Sequence, residues 1–208
     1  MIDPNQITKF DRTTNELQEF LLFSVVVAGK NSKIQSEKLA EFIALVITRY
    51  HNGCVQSIKD KTIFDLLQAF TTLEIELMLR WVKMGQYVRL SNLIYELANS
   101  DLDLKTVTVP QLEQIYGIGP KTARFFVLHT QKDACCAVLD THILKHLNAH
   151  GIKAPKNTPS NKKTYKRLED AFITLHKIAR LSCKEMTLAD YDLVVWQYYS
   201  AGNHKTTK

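Results

Sequence analysis

Apolar residues recur along this chain at spacings of three and four, the period of a helix face buried against a core. Leu17, Phe20, Leu21 and Val25 predict a helix over about 14–28, and Leu39, Phe42, Ile43, Val46 and Ile47 a second over about 33–50. Leu90, Leu93, Ile94 and Leu97 set a helix over about 86–99; Leu168, Phe172 and Leu175 set one over about 164–181. Leu188, Tyr191, Val194 and Val195 mark a last helix over about 187–199. The punctuation agrees. Gly29-Lys30-Asn31-Ser32 breaks the first helix, and His51-Asn52-Gly53 ends the second in the manner of a C-cap. Thr62/Asp65, Thr71/Glu74 and Thr187/Asp190 read as capping boxes, each opening a helix. Residues 100–107 form a connector, and 152–163, with Pro155, Pro159 and several lysines, a loop. Asp140 begins a helix over about 141–150, which Gly151 closes. Only 134–139 hints at a strand. The class is all-α, with about ten helices.

One stretch stands apart. Thr108-Val109-Pro110-Gln111 caps a helix that runs into Ile115-Tyr116-Gly117-Ile118-Gly119, and a second helix starts at once with Pro120-Lys121-Thr122-Ala123, reaching about residue 130. Glycines one residue apart permit a tight turn and a close backbone approach to a ligand. Pro120 suits the first helical position, where its missing N–H costs nothing. The free amides of that helix start favour an anion such as a DNA phosphate. Lys121 is the odd residue, because the helix dipole disfavours a cation there. A nucleotide-type phosphate loop would need four residues between its glycines and then Gly-Lys-Ser/Thr, so that reading is rejected.

Composition narrows the setting. The 208 residues are 45% hydrophobic, enough for a sizeable core in one domain or two small lobes. No apolar run approaches the roughly 18 residues of a membrane span, and the start lacks a signal-peptide layout, so an intracellular protein is expected. A net charge of +6 permits an acidic polymer as partner without requiring one. Cys54, Cys135, Cys136 and Cys183 lack metal-site spacing; free, mostly buried thiols are expected, with no zinc or iron–sulfur site.

The hairpin with Lys121, followed by Val138-Leu139-Asp140-Thr141-His142-Ile143, resembles the helix-hairpin-helix DNA glycosylase superfamily. Asp140 lies 19 residues after Lys121, at family spacing, and the helix layout fits from about residue 13 to the end. The resemblance implies two helical lobes around a DNA-binding cleft. One spans 23–131 and ends in the hairpin; the other combines 1–22 with 132–208. It implies Lys121 as nucleophile and Asp140 as the carboxylate that stabilises the cation developing at the sugar. The plainer readings are a phosphate-contacting lysine and a simple N-cap, and Asp140 is expected to cap its helix in any case.

Further roles follow from the same resemblance. Gly117, Gly119 and the turn bearing Lys30 and Asn31 would meet DNA, as would Tyr87 and Arg89; apart from the resemblance, Lys145 is a candidate phosphate contact, against a merely solvated lysine. For the turn the alternative is a surface connector, and for Tyr87 packing. Carbonyls of Glu113, Ile115 and Ile118 match those that hold an alkali-type cation in relatives, against ordinary helix termination. Missing cluster cysteines set the chain apart from endonuclease III. The segments Asp140-Thr141-His142-Ile143-Leu144 and Asp192-Leu193-Val194-Val195-Trp196, with a short Gly202–Lys208 tail, are most like compact archaeal and bacterial 8-oxoguanine glycosylase/lyases. There Trp196 would stack on the oxidised purine and the Lys208 carboxylate would read it, although this tail is a few residues longer. Trp196 in the core and a disordered basic tail are the alternatives. The expected activity is bifunctional: base removal from damaged double-stranded DNA and AP lyase cleavage, by a monomer with no required cofactor. Oxidised pyrimidines as substrate, or DNA binding without catalysis, are the alternatives.

Overall fold

A computed structural model describes residues 2–4, 6–53 and 59–201. Its helices are α1 (Thr14–Val26), α2 (Ser32–Gly53), α3 (Ile63–Leu67), α4 (Thr72–Trp81) and α5 (Tyr87–Ala98). They continue with α6 (Val109–Leu112), α7 (Pro120–Thr130), α8 (Thr141–Ala149), α9 (Lys162–Ala179) and α10 (Leu188–Ser200). No strand occurs among the described residues, and no helix there is long and apolar enough to cross a membrane. The capping boxes at Thr62, Thr71, Thr108 and Thr187 form, and Thr13 with Glu16 adds another at the start of α1.

Several boundaries differ from the sequence reading for local reasons. The first helix stops at Val26 because Gly29 turns the chain with φ 73°. The second runs through Gly53, so this glycine ends the helix from inside. The ninth begins at Lys162, because the Asn161 side chain accepts from the Thr164 N–H. The first hairpin helix is a single turn. Beyond it Gln114 and Ile115 donate back three residues, to Gln111 and Leu112, tightening the chain toward Gly117.

Helix α1 is the hub of the N-terminal set. It packs on α2, α3, α5 and α7, with Phe20, Leu21 and Leu22 wholly buried. At the other end α8, α9 and α10 pack on one another, and α10 also packs on α7. The seventh helix therefore joins both groups, and a continuous apolar cluster runs from Ile7 to Tyr199. Phe20 binds α1 to α7 through ring contacts with Phe125 and Phe126, at centroid distances of 5.6 and 6.0 Å.

The strand hinted at over 134–139 is absent; the segment is extended, with no partner strand among the described residues. Side chains take the partner's place, as buried backbone polar groups require. Tyr165 donates to the Ala137 carbonyl and accepts from Leu139 N–H, while Glu169 accepts from Ala137 N–H and Thr158 donates to the Leu139 carbonyl. Ala137, Val138 and Leu139 pack into the core, and the segment delivers Asp140 to the start of α8. The thiols also correct an expectation: Cys136 is buried, but Cys135 and Cys183 are exposed, and all three are free. Cys54 lies outside the described residues.

Replacing Phe20 by Ala removes the ring that joins α1 to α7 and leaves a cavity. Urea denaturation is expected to show a loss of about 3–5 kcal/mol.

Candidate active site

A cleft of about 710 Å³ opens where the α1–α2 turn, the first turns of α7 and α8, and α10 converge. Lys30, Asn31, Lys121, Asp140 and Trp196, all expected from the sequence to act on DNA, line it together. Chain positions some 165 residues apart thus meet in one cavity. Another cavity, about 530 Å³ between α2 and α4, is lined by Tyr50, Leu77 and Trp81 among others and contains none of those residues.

The helix starts decide how Lys121 and Asp140 are presented. Gly119 is the N-cap of α7 and Pro120 its first residue, so Lys121 projects from the first turn. Asp140 is the N-cap of α8, and its Oδ1 accepts from His142 N–H at 2.8 Å and Ile143 N–H at 2.9 Å. Both capping bonds fall on Oδ1, so Oδ2 has no capping duty. Trp196, on α10, stands edge-on to the His142 ring with centroids 5.8 Å apart. It is half-buried at the cleft rather than sunk in the core.

A rim of turns flanks the cleft. Lys83, Gly85 and Gln86 all have φ between 52° and 78°, and a left-handed conformation is costly for the two non-glycine residues. Lys30 bridges to this turn, donating from Nζ to the Met84 carbonyl at 2.7 Å. Burial, with repulsion from Lys38 and Arg89, lowers its amine pKa below the ordinary value. Arg89 donates to the Gln86 side chain and to the Gly117 carbonyl, linking the rim to the hairpin. Asn31 caps α2 by accepting from Ile34 N–H. Tyr87 packs partly into the core, with the Arg80 guanidinium 4.6 Å from its ring centre. Lys145 is exposed on α8 and does not line the cleft. Lys208 lies outside the described residues.

The two hairpin glycines differ. Gly117 has φ 80°, and a Cβ there would sit 3.1 Å from Leu93 Cδ1. Gly119 is extended, with nothing within 4 Å of a Cβ position, so its own fold does not demand glycine. Of the hairpin carbonyls, that of Ile115 accepts from Ile118 N–H at 3.1 Å. The Glu113 side chain is held by Arg124 at 2.7 Å, and the Ile118 side chain is buried.

Three residues without an assigned role complete the site. Arg124, one turn after Lys121, is clamped between Glu113 and Glu169, each at 2.7 Å. Asp192 lines the cleft and is 5% exposed, with its Oδ2 3.5 Å from Nε2 of wholly buried His129. Burial raises the Asp192 carboxyl pKa, while His129 and the charge of Lys121 work against that rise. The available signal was pattern: Asp192 interrupts the apolar stripe Leu188, Tyr191, Val195 and Tyr199 that α10 buries.

An all-helical fold with a glycine hairpin, a lysine in the next helix turn and a capping aspartate in the same cleft defines the helix-hairpin-helix glycosylase class. The profile of the 8-oxoguanine DNA glycosylase family (Ogg-HhH) matches residues 29–181, and the chain belongs to that family. Two crystal structures from Methanocaldococcus jannaschii share the fold, each 19% identical in sequence. The 8-oxoguanine DNA glycosylase MjOgg gives a TM-score of 0.61 over 95% of this chain and 84% of that one. The 8-oxoguanine glycosylase/lyase in complex with 15mer DNA containing 8-oxoguanine gives 0.58 over 92% and 84%. A search of curated proteins gives no significant match.

Gly117→Ala would force a side chain into a left-handed backbone and against Leu93. Thermal and urea melts are expected to show a loss of more than about 1 kcal/mol, whereas Gly119→Ala should leave stability unchanged and weaken only duplex affinity.

Proposed function

We propose that this protein is a bifunctional base-excision DNA glycosylase and AP lyase that removes an oxidised base from double-stranded DNA, with 8-oxoguanine preferred. The observation that carries the reading is Lys121 and Asp140 lining one cleft, each at the first turn of its helix. Family membership supports the base-excision class. The relative whose crystal structure holds 8-oxoguanine DNA supports the substrate.

A base reaches such a cleft only by leaving the stack, at a cost of a few kcal/mol. The neutral amine of Lys121 attacks C1′ as the C1′–N bond breaks, and the base leaves with a proton. Positive charge develops at the sugar during this step, and the Asp140 carboxylate stabilises it. Opening of the sugar ring gives a Schiff base to Lys121. Loss of a C2′ proton then expels the 3′ phosphate by β-elimination and cuts the strand. Trp196 offers a stacking face for the extruded base, and the Lys208 carboxylate would read its edge.

Backbone amides at Gly117 and Gly119, with Lys30, Asn31, Tyr87, Arg89 and Lys145, would hold the duplex. The carbonyls of Glu113, Ile115 and Ile118 are hard oxygen donors that suit an alkali-type cation, which would add positive charge opposite a phosphate. The covalent chemistry belongs to Lys121, so the proposed enzyme requires no cofactor, and it is taken to act as a monomer. Its lobes are taken as 23–131 and the remainder, with the cleft between them.

The test is a panel of single-lesion duplexes read for base release, strand cleavage and borohydride trapping. Wild type should trap covalently on 8-oxoguanine DNA, and Lys121→Gln should trap nothing. Asp140→Asn keeps a good N-cap and should fold normally, yet lose about 10²–10³-fold in excision rate. A wild-type protein that never traps DNA would sink the lyase claim. Preference for thymine glycol would move the substrate to oxidised pyrimidines.

A further inference from the structure

Asp192 is buried at the cleft wall, and the chemistry above leaves it unused. Its Oδ1 has no hydrogen-bond partner among the described residues, and its Oδ2 reaches only the His129 Nε2, at a distance too long for a strong bond. His129 is itself fixed: Nδ1 pairs with Thr8 Oγ1 at 2.9 Å, its carbonyl accepts from Arg12, and Phe125 stands edge-on to the ring. A buried carboxyl with one orphaned oxygen is costly to keep ionised, and such groups concentrate at functional sites.

The groups facing Asp192 restrict what it can do. From α7 come His129 and the charge of Lys121; from the start of α8 comes Asp140, and His142 lines the same cleft. Cys136, on the extended segment, feels the Asp192 charge, and burial pushes its thiol up to about 12, so it stays neutral. On α9, Glu169 is committed to Arg124 and His176 to the Met186 carbonyl. Among the described residues, Lys121 thus acts on Asp192 together with His129, Lys30 lines the same cleft, and Asp140 is the second carboxylate.

Building on the glycosylase/lyase reading, we propose that Asp192, steadied by His129, is the base that takes the proton from Lys121 and leaves its amine nucleophilic. The step balances: ammonium and carboxylate become amine and carboxylic acid, with one N–H bond broken, one O–H bond formed and no change in net charge. Desolvation favours it, because excluding water penalises both charges of the ion pair and neither product. DNA filling the cleft therefore drives the transfer as it brings C1′ to the amine. Asp140 holds both cap bonds on Oδ1 and keeps Oδ2 for the developing cation. The two carboxyls divide the work by environment, one dry and one hydrogen-bonded.

The experiment is single-turnover borohydride trapping on a duplex with a preformed abasic site, across pH 6–10. An abasic aldehyde needs a neutral lysine and offers no base to read. Asp192→Asn should trap about ten- to a hundredfold more slowly than wild type near pH 7, and approach the wild-type rate at high pH, where solvent removes the proton. An unchanged profile overturns the proposal. So does a variant that traps abasic DNA normally but fails on lesion DNA, which would make Asp192 a base reader. If Asp192→Asn does not fold by circular dichroism, His129→Asn carries the test. The contact with His129 lowers the carboxyl pKa, so its loss should move the acid limb of the profile to higher pH, and an unmoved limb overturns the idea. If wild type itself traps no abasic duplex, the lyase reading falls and this inference falls with it.

Discussion

The Arg124 guanidinium is the tie on which the site depends. Burial works against its charge, but Glu169 and Glu113 outweigh that cost and raise its pKa above the ordinary value. Its Nε donates to Glu169 on α9 and its Nη1 to Glu113 in the hairpin and to the Pro120 carbonyl; the group also lies 4.4 Å over the Tyr165 ring. Glu169 and Tyr165 in turn hold the extended segment that ends at Asp140. One cation thereby fixes the hairpin, the first turn of α7 and the approach to Asp140 in a common frame. Removing one member of a partly buried network of this kind typically costs about 3–5 kcal/mol, because the remaining charges stay buried and unpaired. Precision between Lys121 and Asp140 rests on that frame, since the two come from different helices.

The rim is built on a different principle. The turn at Lys83, Gly85 and Gln86 holds left-handed backbone at two non-glycine residues, which persists only where surrounding contacts over-determine it. Those contacts are visible: Lys30 and Lys38 donate to the Met84 and Lys83 carbonyls, and Arg89 joins Gln86 to Gly117. Cations that would otherwise repel one another are held side by side by carbonyl dipoles. A polyanion meeting this rim finds positive charge whose ordering entropy has already been spent on folding.

Within the cleft, environment separates residues that composition makes look alike. Asp140 accepts from two backbone amides at the start of α8. Asp192, four residues before Trp196 on the same helix, is dry and half-satisfied. Burial raises the carboxyl pKa of Asp192, whereas what sets Asp140 apart is its two amide hydrogen bonds.

How much of this was legible depends on the range of the interaction responsible. Helix periodicity, the capping boxes, Pro120 as the first residue of α7 and Asp140 as a cap are local properties, and the chain determined them unaided. Motif spacing also singled out Lys121, Asp140 and Trp196. The 134–139 segment failed because its β-like composition answered to burial, while its hydrogen bonds came from Tyr165, Glu169 and Thr158, which no local pattern connects to it. Gly119 looked equivalent to Gly117, yet only the backbone angle and the position of Leu93 distinguish them. Asp192 stood in the sequence only as the start of the segment that ends at Trp196, and nothing local tied it to His129 until packing buried both. The sequence by itself determined which helices form and which residues are candidates for the chemistry. The tertiary structure alone decided which charges are dry, which are paired and which share a cleft, because desolvation and long-range contact have no signature in local order.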